Sequence, residues 1–205
     1  MKQRLLLLLL LVLCCFCSFS QTSIYARFIN YSGQVLKTDG SLAAGTLITA
    51  TSIDPTSTEF FRVTTASQGA WQTLNIGSQA TGAGAGRITF DSVLFSRPVD
   101  AASPVFFQNM ASGTPYRTVE VFYTDASGRI GAKQLYKLAA IKSVRWIAAS
   151  CTNDCPLVIE NVSIDYGGLI QTVYKSGSGY LTTPVSKGWN RVKNIADNDP
   201  NTVIN

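Results

Sequence analysis

Apolar side chains recur in short runs between Ser23 and Tyr174, and these runs predict a series of β-strands. Arg117–Thr124 alternates clearly, with Val119, Val121 and Tyr123 on one predicted face. The other runs are rich in β-branched and aromatic residues: Ser23–Asn30, Thr46–Ile53, Glu59–Thr65, Arg87–Phe95, Lys133–Ala149, Leu157–Tyr166 and Leu169–Tyr174. Lys133–Ala149 is long enough for one bent strand or two shorter ones. The pattern predicts a mainly β protein.

Turn residues separate several of these runs. Asp125-Ala-Ser-Gly128 stands between two strand-like segments and predicts a turn. Gly167-Gly168 predicts a bulge or bend between the last two runs.

One segment predicts a short α-helix, Pro98–Ala111. Asp100 and Ser103 are both possible N-caps, and Pro104 falls in the first turn. Gly113 stands where such a helix would end.

The two ends of the chain differ from this middle part. Residues 1–20 have a basic start, an apolar run and a small-residue exit, which predicts a secretory signal peptide cleaved after Ser20. An uncleaved membrane anchor and a lipoprotein signal at Cys14, Cys15 or Cys17 are the alternatives. The polar segment Lys175–Asn205 is expected to lie outside the core and to be partly disordered.

Charge and composition favour binding or structure over catalysis. The chain has 205 residues, 14% of them charged, and no histidine. This excludes a Ser-His-Asp or Cys-His catalytic site and a histidine-ligated metal. The formal charge falls from +5 to +3 on cleavage of the signal peptide, because Lys2 and Arg4 are both basic. No cofactor and no metal site is predicted.

Two cysteines, Cys151 and Cys155, remain after cleavage, in the segment Cys-Thr-Asn-Asp-Cys. An even number in an exported chain predicts a disulfide that closes a tight loop. A zinc site lacks a second ligand pair, and a redox motif would need two intervening residues instead of three.

Motifs with possible chemistry are weak. Gly82–Arg87 resembles a phosphate loop only in its glycines, because a strand follows and no Gly-Lys-Ser/Thr is present. A carboxylate enzyme could use Asp91, Glu160 and Asp165, but Glu160 and Asp165 are five residues apart and fall on opposite faces of an ideal strand.

Aromatic and basic residues leave two further interpretations open. Trp71 and Trp146 are expected in the core or an interface, and the alternative is that they serve as sugar platforms. The basic residues form no dense run, so we expect a solvated face or a few interface positions and no nucleic-acid partner: Arg62, Arg87, Arg97, Arg117, Arg129, Lys133, Lys137, Lys142 and Arg145.

The order of segments from Gly82 to Tyr174 resembles the Hcp family, the tube protein of the bacterial type VI secretion system. The similar phrases are Gly84–Ser96, Arg97–Gly113, Tyr116–Tyr123, Leu135–Ala148 and Glu160–Tyr166. The resemblance implies a compact β-barrel of two antiparallel sheets with one flanking helix. It also implies hexameric rings that stack into a tube or carry effectors, and it carries over no catalytic residue.

The predicted division of the chain is therefore a signal peptide at 1–20, an Hcp-like β-barrel domain at 21–174 and a polar extension at 175–205. The expected protein is a non-enzymatic structural protein, exported to the periplasm or the medium, whose main partner is itself. The alternative is a secreted β-sandwich module that binds glycans or a cell surface. The signal peptide, the extension and the disulfide depart from the family pattern.

Overall fold

The computed structural model describes residues 22–75, 84–149, 158–177 and 179–204. Its elements, in chain order, are β1 (Ser23–Ile29), β2 (Gln34–Leu36), β3 (Leu42–Ala44), β4 (Phe61–Val63), β5 (Thr65–Ser67), β6 (Ala70–Asn75), β7 (Gly84–Phe90), β8 (Val93–Pro98), α1 (Ser103–Ser112), β9 (Tyr116–Thr124), β10 (Ile130–Ala148), β11 (Val158–Ser176), β12 (Gly179–Asn190) and β13 (Ile195–Ala196). The predicted mainly β class with one short helix is confirmed.

An antiparallel sheet of 11 strands forms most of the protein, and β6 pairs with β7 in a separate hairpin. The main path runs β13-β12-β11-β10-β9-β1-β2-β3, while β4 pairs with β1, and β8 pairs with both β11 and β5. The expected closure into a regular barrel is not found. Among the described strands, β3 and β13 stand at the two ends of the path. The short strands β4 and β5, on either side of Thr64, pair with β1 and β8 respectively.

The two long strands β10 and β11, with 19 residues each, carry the middle of the sheet. They settle the sequence ambiguity: Lys133–Ala149 forms one long strand, and its register shifts between Ile141 and Ser143. β11 runs unbroken through Gly167-Gly168. The irregularity lies on the opposite strand, β10, where Leu138 has a positive φ of 48°. A Cβ added at Gly167 would lie 3.1 Å from the Leu138 side chain, so there is little room for a larger residue at this position.

Aromatic rings fill the core between the sheet and α1. Phe28 lies at its centre, and its ring centroid is 4.8 Å from that of Phe106 on α1 and 5.2 Å from that of Tyr116 on β9. Phe61 of β4 and Phe95 of β8 complete the cluster around Phe28. Burial of several rings in one cluster provides much of the hydrophobic stabilisation of this fold.

The helix begins later than predicted. Ala102 is the N-cap and makes no side-chain capping bond, while the Asp100 carboxylate accepts a 2.9 Å hydrogen bond from the Ala102 backbone N–H. Pro98 belongs to β8 instead. Gly113 ends the helix with a left-handed φ of 67°, which confirms the predicted stop.

The predicted turn at Asp125 joins β9 to β10. The Asp125 carboxylate accepts hydrogen bonds from the Ser127 hydroxyl at 2.6 Å and the Ser127 backbone N–H at 3.0 Å. The Ser127 bond is the largest of the interactions that lower the pKa of Asp125 to about 2. The turn is therefore held by an ionised carboxylate at neutral pH.

Two segments that the sequence predicts as single strands, Arg87–Phe95 and Thr46–Ile53, do not form them. Arg87–Phe95 is split into β7 and β8, because the chain leaves the hairpin at Asp91 and Ser92 to join the main sheet. Thr46–Ile53 forms no strand, apart from an isolated bridge between Ser52 and Arg129. The reason lies in the buried charges that this segment covers, which are described below.

The described residues beyond Tyr174 do not lie apart from the sheet, contrary to the expectation for this segment. β11 extends to Ser176, β12 pairs with it along Gly168–Ser176, and β13 pairs with β12. The Tyr31 hydroxyl donates a 3.1 Å hydrogen bond to the carbonyl of Ile204, whose side chain is buried. Ladder hydrogen bonds use the backbone alone, so a polar segment can add a strand.

Candidate functional site

Two buried clusters of charged side chains lie inside the sheet, and they account for several residues that could otherwise be catalytic. In the first, Glu120 of β9 accepts hydrogen bonds from two cations, Arg27 of β1 at 3.0 Å and Lys133 of β10 at 3.2 Å. Glu59 pairs with Arg27 at 2.9 Å from the outer side. Arg27, Glu120 and Lys133 are all buried, so each charge depends on the others.

The segment from Thr46 to Ile48 covers this first cluster. Arg27 donates to the Thr46 carbonyl at 2.6 Å, and Lys133 donates to the Ile48 carbonyl at 2.7 Å. The Ile48 backbone N–H donates to Glu120 at 3.1 Å. Charged side chains therefore satisfy the backbone groups that a strand would have paired in a ladder, which explains the missing strand at Thr46–Ile53.

The second cluster connects α1 to the sheet. Glu160 of β11 accepts hydrogen bonds from Arg97 at 3.1 Å and from the Ser103 hydroxyl at 3.2 Å. Arg97 also pairs with Asp100, and its guanidinium carbon lies 4.9 Å from the centre of the Phe106 ring. This cluster fixes the start of α1 against β8 and β11.

Trp146 links the second cluster to the protein surface. Its indole N–H donates a 2.9 Å hydrogen bond to the free oxygen of Glu160, while 57% of the residue is exposed. Phe107 of α1 is 60% exposed beside it. Together with Pro104 and Val144 they line an open apolar cleft of about 360 Å³, which we term the α1–β10 surface.

Phe107 and Trp146 place two large aromatic side chains on an exposed part of the surface. Aromatic residues are enriched where proteins meet. The α1–β10 surface is therefore the candidate functional site, and its chemistry suits packing.

The three carboxylates considered for catalysis do not converge. Glu160 is buried and held by Arg97, whereas Asp165 lies on the outer side of the same strand, about half exposed, and pairs with Lys142 at 3.5 Å. The expectation that these two face opposite ways is confirmed. Asp91 lies in the exposed connection between β7 and β8.

The basic residues are divided between surface and interior. Arg62, Arg145 and Lys142 are exposed, as a solvated face predicts, but Arg97, Lys133 and Lys137 are buried. Lys137 pairs with Asp197 at 2.9 Å, so that the segment after β12 covers its ammonium group. The expectation of a uniformly solvated basic set is wrong for these three positions, since each has a carboxylate partner.

Sequence reasoning missed Arg27 and Glu120 as the centre of a cluster. A signal was present, because Arg27 is the single charge of β1 and Glu120 stands between two valines in β9. Their direct pairing in the register of β1 and β9 turns two unfavourable positions into one ion pair.

Trp71 lies on β6 and is 57% exposed, so it belongs to no core.

Several predictions fall outside the described residues. They include the signal peptide, all five cysteines with the predicted Cys151–Cys155 bridge, and the first two residues of the Gly82–Arg87 segment, whose remaining residues begin β7. Within the described ranges, no group of three or more histidine, cysteine, aspartate or glutamate side chains could hold a metal ion. No helix among the same residues has the length and apolar character needed to cross a membrane.

The protein is therefore mainly β, with ion pairs in its interior and exposed aromatic side chains on its surface. The family model "Type VI secretion system effector, Hcp" matches residues 36–174, more than half of the chain. The chain belongs to the Hcp family of the type VI secretion system.

Solved structures share this fold at low sequence identity. A type six secretion system protein has a TM-score of 0.66 and 14% identity, over 86% of this chain and 100% of that chain. Hcp1 from Salmonella typhimurium has a TM-score of 0.60 and 15% identity, over 86% of this chain and 99% of its own. A type VI secretion system effector from Yersinia pestis has a TM-score of 0.54 and 11% identity, over 82% and 98%. No curated protein matches the chain.

Proposed function

We propose that this protein is a non-enzymatic structural component that self-assembles into hexameric rings, which stack into a tube or carry effectors. Membership of the Hcp family supports the proposal. The observation in this chain that carries it is the exposed α1–β10 surface, with Phe107 and Trp146 at its centre. The proposed occupant is a second copy of the same chain, and identical contacts repeated around an axis close a ring.

The α1–β10 surface is tested by changing Phe107 to serine. The residue is 60% exposed, so the substitution should leave the free energy of unfolding within about 0.5 kcal/mol of the original. Loss of a central aromatic contact should weaken assembly at least ten-fold, a typical effect at the centre of an interface. Light scattering coupled to size-exclusion chromatography measures the dissociation.

The matched control is Val203→Ser, which alters an exposed apolar side chain in the C-terminal segment. We expect this variant to assemble like the original protein. Unchanged assembly of Phe107→Ser would show that the α1–β10 surface is not a subunit contact.

Export and the disulfide form a second part of the proposal. The signal peptide is proposed to be removed after Ser20, placing the protein in the periplasm or the medium, and Cys151 and Cys155 are proposed to form a bridge. Intact mass spectrometry of protein exported from the full-length chain should give a product that begins at Gln21 and does not react with iodoacetamide until it is reduced. Cys151→Ser with Cys155→Ser should lower the free energy of unfolding by about 2 kcal/mol, as expected for a short closed loop.

Retention of residues 1–20, or two free thiols before reduction, would contradict this part without affecting the ring. Proposed partners are accordingly the chain itself, components of the secretion apparatus and effector proteins, with no nucleic acid.

Exposure of Trp71 favours one second candidate, a glycan-binding module. A tryptophan 57% exposed on the β6–β7 hairpin could stack on a sugar ring. Glycan-array binding that disappears in Trp71→Ala, while assembly is unchanged, would support this function. Absence of binding by the original protein would remove it.

A further inference from the structure

A large cleft separates the β6–β7 hairpin from the C-terminal segment, away from the α1–β10 surface. Its volume is about 1070 Å³, and its walls come from β7, from Tyr166 and Gly167 of β11, and from the chain around the end of β12. Ile88, Phe90, Trp189 and Val192 provide apolar walls. This volume is large enough to hold a small organic molecule. We term it the hairpin–tail cleft.

A fixed cation lies in this cleft. The Arg191 guanidinium carbon is 4.7 Å from the centre of the Tyr166 ring and 5.1 Å from that of Phe90. One of its nitrogens, Nη1, donates a 2.6 Å hydrogen bond to the Tyr166 carbonyl. Stacking and this bond hold the planar group in place, so little conformational freedom remains to be lost when a ligand binds.

Arg191 differs in its partners from the buried cations of the sheet. In the part of the chain that the structure describes, no carboxylate lies within ion-pair distance of it, unlike Arg27, Arg97, Lys133 and Lys137, which all have one. The remaining N–H groups of the guanidinium form the fork that matches a carboxylate or phosphate.

Trp189, beside Arg191, has a donor that lies below the surface and is unpaired within the described ranges. The Trp189 indole N–H is buried and has no hydrogen-bond partner among the described residues. Because protein atoms cover this nitrogen, Trp189 contributes an apolar ring to the cleft and the N–H is not available to a ligand there. Trp189 lines the same cleft as Arg191.

A cation without an ion-pair partner among the described residues, between aromatic and aliphatic walls, calls for a ligand with an anionic group and an apolar body. We propose that the hairpin–tail cleft binds a small organic anion, whose carboxylate or phosphate group pairs with Arg191 and whose apolar body packs against Phe90 and Trp189. This site does not depend on ring assembly, and nothing in the proposed structural role requires it.

The test uses a pair of fluorescent probes on the mature protein. 8-Anilinonaphthalene-1-sulfonate carries an anionic group on an apolar body, and N-phenyl-1-naphthylamine has a similar body without the charge. We expect saturable binding of the sulfonate that weakens at least ten-fold in Arg191→Gln, while binding of the neutral probe changes less than two-fold.

A second variant keeps the test independent of any folding defect in Arg191→Gln. Thr89 lines the cleft and is exposed, so Thr89→Glu places a carboxylate there without disturbing the core. It should weaken sulfonate binding by a similar factor. The matched control is Arg129→Gln, which removes an arginine stacked on Tyr180 at 3.4 Å outside the cleft, and it should bind the sulfonate normally.

Displacement of the bound sulfonate distinguishes the two anion types. Stronger displacement by phenyl phosphate indicates a phosphate ester, and stronger displacement by benzoate indicates a carboxylate. Benzyl alcohol, which is neutral, should not displace it. Three results would overturn the proposal. Benzyl alcohol could displace the sulfonate as well as the anions do, or neither anion could displace it. The third is unchanged sulfonate binding in both Arg191→Gln and Thr89→Glu.

Discussion

Glu120→Gln is expected to lower the free energy of unfolding by about 3–5 kcal/mol, a large part of the total stability of a single domain. Glutamine fills nearly the same volume, so the loss reports the charge and the hydrogen-bond acceptor of Glu120 and not its packing. Arg27 and Lys133 would remain buried while the carboxylate that holds both is neutralised. Ile48 would also lose its charged acceptor, so the covering segment should become more accessible to hydrogen exchange. Urea denaturation gives the free energy.

The matched control for Glu120 is Glu59→Gln. Glu59 also pairs with Arg27, but its side chain is 29% exposed, so water can replace the lost contact. We expect a loss of about 1 kcal/mol or less. Equal losses for the two variants would show that the buried cluster does not depend on Glu120.

Glu160→Gln is expected to have the second largest effect, a loss of about 3 kcal/mol or more. Among the described residues, Asp100 would be the only anionic partner left to the buried Arg97, and the start of α1 would lose the charged acceptor of the Ser103 hydroxyl. Because Trp146 also donates to Glu160, its fluorescence should change together with stability. Thermal and urea unfolding monitored by this fluorescence measures both effects.

Asp165→Asn provides the comparison on the same strand. Asp165 faces outward and pairs with Lys142 at 3.5 Å, with both side chains more than half exposed. Its replacement should cost less than about 0.5 kcal/mol. A loss as large as that of Glu160→Gln would mean that burial does not control the strength of these ion pairs.

The strands that sequence reasoning predicted well are those whose apolar pattern follows from burial in the sheet. Ser23–Asn30 and Arg117–Thr124 became β1 and β9, since alternate side chains in each face the aromatic core. The helix was found through Pro104 and Gly113, which act locally. Strand alternation and helix start and stop signals can be read from a few neighbouring residues of the sequence.

Features that depend on distant partners could not be read from the sequence in the same way. Arg27 and Glu120 are 93 positions apart, and the pairing becomes evident only through the register of β1 and β9. The strand β12 has a polar composition and is held by backbone pairing with β11. The resemblance to the Hcp family identified the fold class, but the exposure of Phe107 and Trp146 required the structure.

The central claim, that the protein assembles with copies of itself, is tested most directly by its mass in solution. Light scattering coupled to size-exclusion chromatography should be recorded on the mature protein over a range of concentrations up to tens of micromolar. We expect a particle with the mass of a hexamer, which dissociates in Phe107→Ser. A strict monomer at every concentration would contradict it.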